Sequence, residues 1–164
     1  MSEHEEEPIV LPGISLPGLA PIAARLDACV PELVHCADVF DWQGSLDRIR
    51  ATPAALIAPA AATYGPNVVA GRALRQERTH FFSVMLIFTG AGPEGRSAMP
   101  LFKTVCEGAL AALTGWRHPD GGSLIEPVAE RLAHFDAQRQ ALTWEIRFKH
   151  RHHISNLVPT PPTP

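Results

Sequence analysis

Apolar and polar positions repeat on two different periods along this chain. From Ser97 to Trp116 the apolar residues Leu101, Phe102, Val105, Cys106, Ala109, Leu110, Leu113 and Trp116 recur at steps of three and four. That spacing gathers them on one broad side of a helix, with Lys103, Thr104, Glu107 and Thr114 mostly on the other. Ser97 is placed to cap the helix, and Pro100 falls in the first turn, where its missing N–H does no harm. Gly115 can take the left-handed conformation that ends a helix. A helix so apolar on one side must cover a sheet.

Strand periodicity flanks it. Over residues 75–89, Phe82, Val84, Leu86 and Phe88 fall on one face and Phe81, Ser83, Met85 and Ile87 on the other. Both faces turn apolar in the second half, so this strand must be covered twice. Residues 142–154 alternate more strictly, with Leu142, Trp144, Ile146 and Phe148 inward and Thr143, Glu145, Arg147 and Lys149 toward water. Upstream, Ile22, Leu26, Cys29, Val30 and Leu33 share one side of a helix over residues 19–33, with Pro31 near its stop. A short strand follows at 34–40, and Gly44-Ser45 opens a helical turn through Leu46 and Ile49. A short buried strand lies within 53–59. Residues 60–70, with Gly65-Pro66, read as a loop; residues 124–134 fit a strand or a helix; a turn falls within 133–140.

Composition narrows the class. The 164 residues suffice for one domain, and 46% hydrophobic with 19% charged residues is the balance of a globular protein. A net charge of −3 exerts no global pull on nucleic acid or anionic lipid. No apolar run approaches the ~20 residues of a membrane span, and no membrane partner is expected. Cys29, Cys36 and Cys106 are odd in number without C-x-x-C spacing, which reads as idle thiols in a reducing cytosol. Residues 1–18 form an acidic, Pro-rich extended arm that is expected to reach another chain. Residues 158–164 are a polyproline-type tail.

Motifs of catalysis are missing from the sequence. It contains no G-x-S-x-G, no phosphate-binding glycine loop and no H-E-x-x-H. Gly90-Ala-Gly-Pro-Glu-Gly95 matches G-x-G-x-x-G by letters only, because Pro93 removes an N–H such a loop would use. His150 and His152 share a strand face, but two imidazoles do not complete a metal site and no carboxylate or cysteine stands beside them in sequence. They read as a solvated strand end, and a small His-dependent metalloprotein is kept as a remote alternative. From Arg139 to Arg151, four Arg/Lys face one carboxylate, Glu145, so this strand suits an acidic partner, nucleic acid or plain solvent. No catalytic residue, cofactor or metal is assigned, and assembly is favoured over enzymology.

The ordered segments resemble the tail terminator, or tail-completion, proteins of Mu-like phages, which are related in fold to the lambda-type terminators. The resemblance rests on Ile22-Ala-Ala-Arg-Leu-Asp27, Pro53-Ala-Ala-Leu-Ile57, Val84-Met-Leu-Ile-Phe88, Ala111-Ala-Leu-Thr-Gly-Trp116 and Leu142-Thr-Trp-Glu-Ile-Arg-Phe148, in that order. It spans about residues 19–154. It implies a virion protein, made in the host cytoplasm, that forms a hexameric homo-oligomer at the tail–neck junction. The implied partners are the tail tube protein, the sheath protein of a contractile tail, and neck or head-completion proteins; genome DNA passes through without specific binding. Another neck ring, or a tailocin or gene-transfer-agent homologue, is the alternative within the same class.

The expected fold is α+β: a single mixed, largely antiparallel sheet with two main helices packed on one face, over residues 19–157. Leu110, Leu113, Phe82, Val84, Trp144 and Ile146 are expected in its core. Contacts to other subunits or partners are expected at Ile9, Val10, Leu11, Phe81, Met85, Arg147, Lys149 and Arg151, with the basic strand turned toward an acidic neighbour and away from DNA.

Overall fold

Strand pairing fixes which side chains share a face. The computed structural model describes residues 17–70, 73–90 and 99–157. Its elements in chain order are α1 (Ala20–Cys29), β1 (His35–Asp38), α2 (Trp42–Leu46), β2 (Ala54–Ala70), β3 (Ala73–Thr89), α3 (Met99–Leu113), β4 (Glu126–Asp136) and β5 (Ala141–Leu157). The strands form one five-stranded sheet in the order β1-β2-β3-β5-β4. Only β1 and β2 run parallel; the other pairs are antiparallel. The expected α+β class, with a mixed and mainly antiparallel sheet, is what is found.

The first face holds the main core. Directly opposed pairs Phe82–Phe148, Val84–Ile146 and Leu86–Trp144 point to one side of β3 and β5, and Ala55 and Ile57 of β2 extend the row. The α1 residues Ile22, Ala23 and Leu26 and the α3 residues Val105, Cys106, Ala109, Ala112 and Leu113 cover it. Both main helices therefore pack on one face. Phe82 and Phe148 stack with centroids 5.5 Å apart, and Phe102 of α3 meets both Phe88 and Trp144 edge-on.

The helix ends obey local chemistry. Pro21 sits in the first turn of α1, and the helix stops at Cys29, ahead of Pro31. Gly115 has φ +74°, the left-handed stop expected after α3. Arg25 ties the two helices together: its Nε donates to the Ala112 carbonyl at 3.2 Å, and its guanidinium lies over the Trp116 ring. The expected cap at Ser97 lies outside the described residues.

Three expectations need correction here, and one alternative left open, strand or helix over residues 124–134, is decided. Residues 60–70 are not a loop but the outer half of β2. Their partner is β3, and Pro59 and Pro66 fall at the two register shifts of this pairing, where the regular ladder is interrupted and a missing N–H is tolerated. Residues 126–136 are strand, settled by pairing with β5. α2 begins at Trp42, because the Asp41 side chain accepts from the Gly44 N–H at 3.1 Å. Thr143 and Glu145 do not face water; they are 2% and 3% exposed. α2 and the segments around it cover this second face, where Ala54, Leu56, Met85 and Ile87 pack with Trp42, Leu46 and Ile49. Arg139 in the β4–β5 turn reaches Asp47 at 2.8 Å and closes that end.

Of the expected core residues, Phe82, Val84, Leu113 and Ile146 are buried, while Leu110 and Trp144 are half-buried at the rim of the cluster. Leu113→Ala is expected to destabilise the fold by about 2–5 kcal/mol through lost burial and a residual cavity. Leu110→Ala should cost clearly less, since part of its side chain already meets water. Urea unfolding of both variants checks this; equal losses would mean that α3 turns a different side to the sheet.

Candidate assembly surface

Exposed apolar side chains gather at the two edges of the sheet, and Val34, Phe40 and Leu124 are exposed in the segments next to β1 and β4. β1 pairs with β2 only over Ala54–Ile57. Beyond Ile57 the outer edge of β2 has no strand partner among the described residues, and this part of the β2–β3 hairpin carries exposed Tyr64, Val68 and Val69. On the opposite edge, β4 exposes Val128, Leu132 and Phe135, beside Met99 and Leu101 of α3. Phe135 helps line a shallow cleft of about 270 Å³ with Phe88, Met99, Phe102 and Leu142. Unpaired strand edges with apolar neighbours invite pairing with another chain.

The second face divides into two parts. Near α2, a cleft of about 690 Å³ runs between Trp42, Leu46, Ile49 and the β4–β5 turn, bridged by Asp47 and Arg139. Further along, charge dominates. Glu145 accepts from Ser83 Oγ at 2.5 Å and from Arg147 at 3.1 Å, and it also meets Arg131. Burial alone would raise the Glu145 carboxyl, but the hydrogen bonds from Ser83, Arg131 and Arg147 outweigh it and hold the group below its usual range. Lys149 and Arg151 both pair with Glu126, at 3.1 and 3.3 Å.

The expected contact residues separate on this map. Phe81 is half-buried on the charged half of the second face. Met85 is 2% exposed beneath α2, so it is not a contact surface; the chain supplies the second cover of β3 itself. Arg147, Lys149 and Arg151 lie on one face, but the chain's own Glu145 and Glu126 meet them. The linear count of charge between residues 139 and 151 missed Glu126, Glu130 and Arg131, which β4 brings alongside. Ile9, Val10 and Leu11 lie outside the described residues. The hairpin residues Tyr64, Val68 and Val69 and the β4 residues Leu132 and Phe135 were not singled out from sequence. The only signal for them was apolar side chains among Gly and Pro, or in a segment with no clear period.

The histidines are not a solvated strand end. His150 is 2% exposed. The Gly121–Gly122 loop lies across β5, with His150 Nε2 donating to the Gly121 carbonyl at 2.8 Å. Gly122 has φ +92°, and a Cβ there would sit 2.5 Å from that Nε2, so no other residue fits. Among the described residues no group of three or more His, Cys, Asp or Glu is placed to hold a metal ion. The thiols are free, and burial pushes Cys36 up to about 11 and Cys106 up to about 12, so both stay protonated at neutral pH.

The domain is thus α+β with apolar side chains at two open sheet edges, and the charges of its second face, Glu145 with Arg131 and Arg147 and Glu126 with Lys149 and Arg151, are paired within the chain. The chain belongs to the phage tail terminator family: the family's model, described as phage tail terminator protein, matches residues 16–159. No curated protein matches it. The family makes this a structural component of a phage tail with a tail-terminator role.

Burial sets the acid response. His80 is lowered from 6.5 to about 4 by burial and by the nearby Arg78 and histidines, and burial also lowers His150 and His152. Between pH 6.5 and 4 the unfolded chain holds more protons than the folded one, so stability is full above pH 6.5 and falls as pH drops through this window. Glu145 adds a further loss only below its unfolded value of 4.5, as pH falls through its lowered folded value. The urea midpoint is therefore expected to be lower at pH 5 than at pH 7. An equal or higher midpoint at pH 5 would contradict the burial of these rings.

Proposed function

We propose that this chain forms a closed homomeric ring, six-fold by family resemblance, at the head-proximal end of a phage tail. There it stops growth of the tail tube and offers a surface to the neck. The observation that supports this most is the placement of apolar residues on opposite edges of one sheet. Tyr64, Val68 and Val69 stand on one side, and Val128, Leu132 and Phe135 on the other. Two different patches on opposite sides suit a head-to-tail contact, and repeating such a contact closes a ring when the rotation permits. The proposed partners are the tail tube protein, the sheath protein where the tail contracts, and neck proteins.

DNA passes through this ring without specific binding. A lumen lined with free basic side chains would hold phosphates by displacing their counterions. Here Arg147, Lys149 and Arg151 are met by Glu145 and Glu126, and the net charge is −3.

A double change, Leu132→Asp with Phe135→Asp, places two charges on the β4 edge while leaving the core intact. Each is expected to weaken subunit association by about 2 kcal/mol or more if it falls at the centre of the contact. The variant should keep its melting behaviour as a monomer, fail to cap tubes, and yield tails of overrun length by electron microscopy. Tails of normal length would remove the β4 edge from the interface. A particle reconstruction with one copy, or with the ring in the neck instead of on the tube, would remove the function.

A further inference from the structure

A row of polar rings lies on the helix-bearing face of the sheet. His118, from the loop after α3, is 5.5 Å from His150, and His150 is 5.9 Å from His152, between ring centroids. The cross-strand partners of His150 and His152 on β3 are His80 and Arg78. At the near end of the row the chemistry is complete. His118 Nδ1 accepts from the Asp120 N–H, which leaves Nε2–H to donate to the Gly18 carbonyl at 2.8 Å. At the far end it is not. Among the described residues, Nε and Nη1 of Arg78 and both ring nitrogens of His152 are buried and have no hydrogen-bond partner. The Tyr64 ring lies under the guanidinium at 5.8 Å, but a ring face does not accept its in-plane N–H groups. A buried guanidinium without an anion is strongly unfavourable.

Among the described residues, no acid acts on His80 or His152. The groups acting on His80 and His152 are Arg78, His118, His150 and His153, all basic. Asp120, which acts on His150, is already engaged by the Gly18 N–H at 3.0 Å. Glu77 neighbours Arg78 in sequence, and so points to the opposite face of β3.

We propose that Arg78 and His152 form an anion site that takes a carboxylate from this chain's own acidic N-terminal segment, at Glu3 and Glu5–Glu7. Three observations carry it. The segment joins the fold at the His118 end of this row: Pro17 is buried and Gly18 is held at both its N–H and its carbonyl. Reach is ample, since the chain from Gly18 back to Glu7 spans up to ~35 Å at about 3.3 Å per residue. Charge is complementary, for the first seven residues hold four glutamates and neither Lys nor Arg. A guanidinium is the side chain best matched to a carboxylate. The sequence-based expectation sends this arm to another chain; the present proposal sends it along its own sheet, from the anchor at Gly18.

The test uses the full chain. Arg78→Lys keeps the charge and places an amine that a carbodiimide can couple to a touching carboxylate. Peptide mapping is expected to find position 78 joined to one of Glu3, Glu5, Glu6 or Glu7 in protein of monomer mass. Absence of that link, or its presence only at dimer mass, would overturn the proposal, the latter pointing to a second copy. With Arg78 unaltered, changing all four glutamates to glutamine should shift its Nε–H resonance and lower the His152 pKa. If neither moves, or if millimolar inorganic phosphate shifts that resonance equally in both proteins, the site belongs to a free anion and the proposal fails.

Discussion

The pairing of β3 with β5 is the constraint on which the rest of this structure depends. It runs unbroken from Ala73–Leu157 to Thr89–Ala141, without a register shift. Because side chains alternate on a strand, that one register assigns each residue of two long strands to a face. Phe82, Val84 and Leu86 then meet Phe148, Ile146 and Trp144 under the helices, while Ser83 and Met85 meet Arg147 and Glu145 on the reverse side. A slip by one residue would drive Glu145 and Arg147 into the main core. β2 and β4 add to this pair from either side with bulges that absorb their prolines and irregular spacing.

The second face shows how a small domain manages a strand that is apolar on both sides. A helix of five residues, with Trp42, Leu46 and Ile49 in and after it, is enough to shelter Leu56, Met85 and Ile87. Next to that shelter a carboxylate is buried, and it stays charged because three donors converge on it. Removing one donor from such a cluster leaves a buried charge short of partners, whereas the exposed pairs of Glu126 with Lys149 and Arg151 contribute little each. The charges of this face thus act mainly within the subunit. The edges are left open, and it is there that we propose contacts between copies of this member of the phage tail terminator family.

Much of the fold was legible in the sequence because local periodicity and burial agree there. The apolar side of α3, the stop at Gly115, the face of Phe82, Val84, Leu86 and Phe88, and the inward row of β5 are all fixed by spacing that only one local structure satisfies. The order of those segments sufficed for the family. Partner strands decided what spacing left open. Residues 60–70 carry Gly and Pro and look like a loop, yet the ladder offered by β3 makes them strand. Residues 126–136 have no clear period, and β5 makes them strand as well. Glu145 looked exposed by alternation alone, but Ser83, Arg131 and Arg147 reach it from three separate positions in the chain. Met85 looked like a contact residue until α2 covered it. The histidine row joins a loop and two strands, so no window of sequence contains it. Periodicity reports what a segment does by itself; tertiary structure supplies the partners that decide which edges, charges and rings are left unsatisfied.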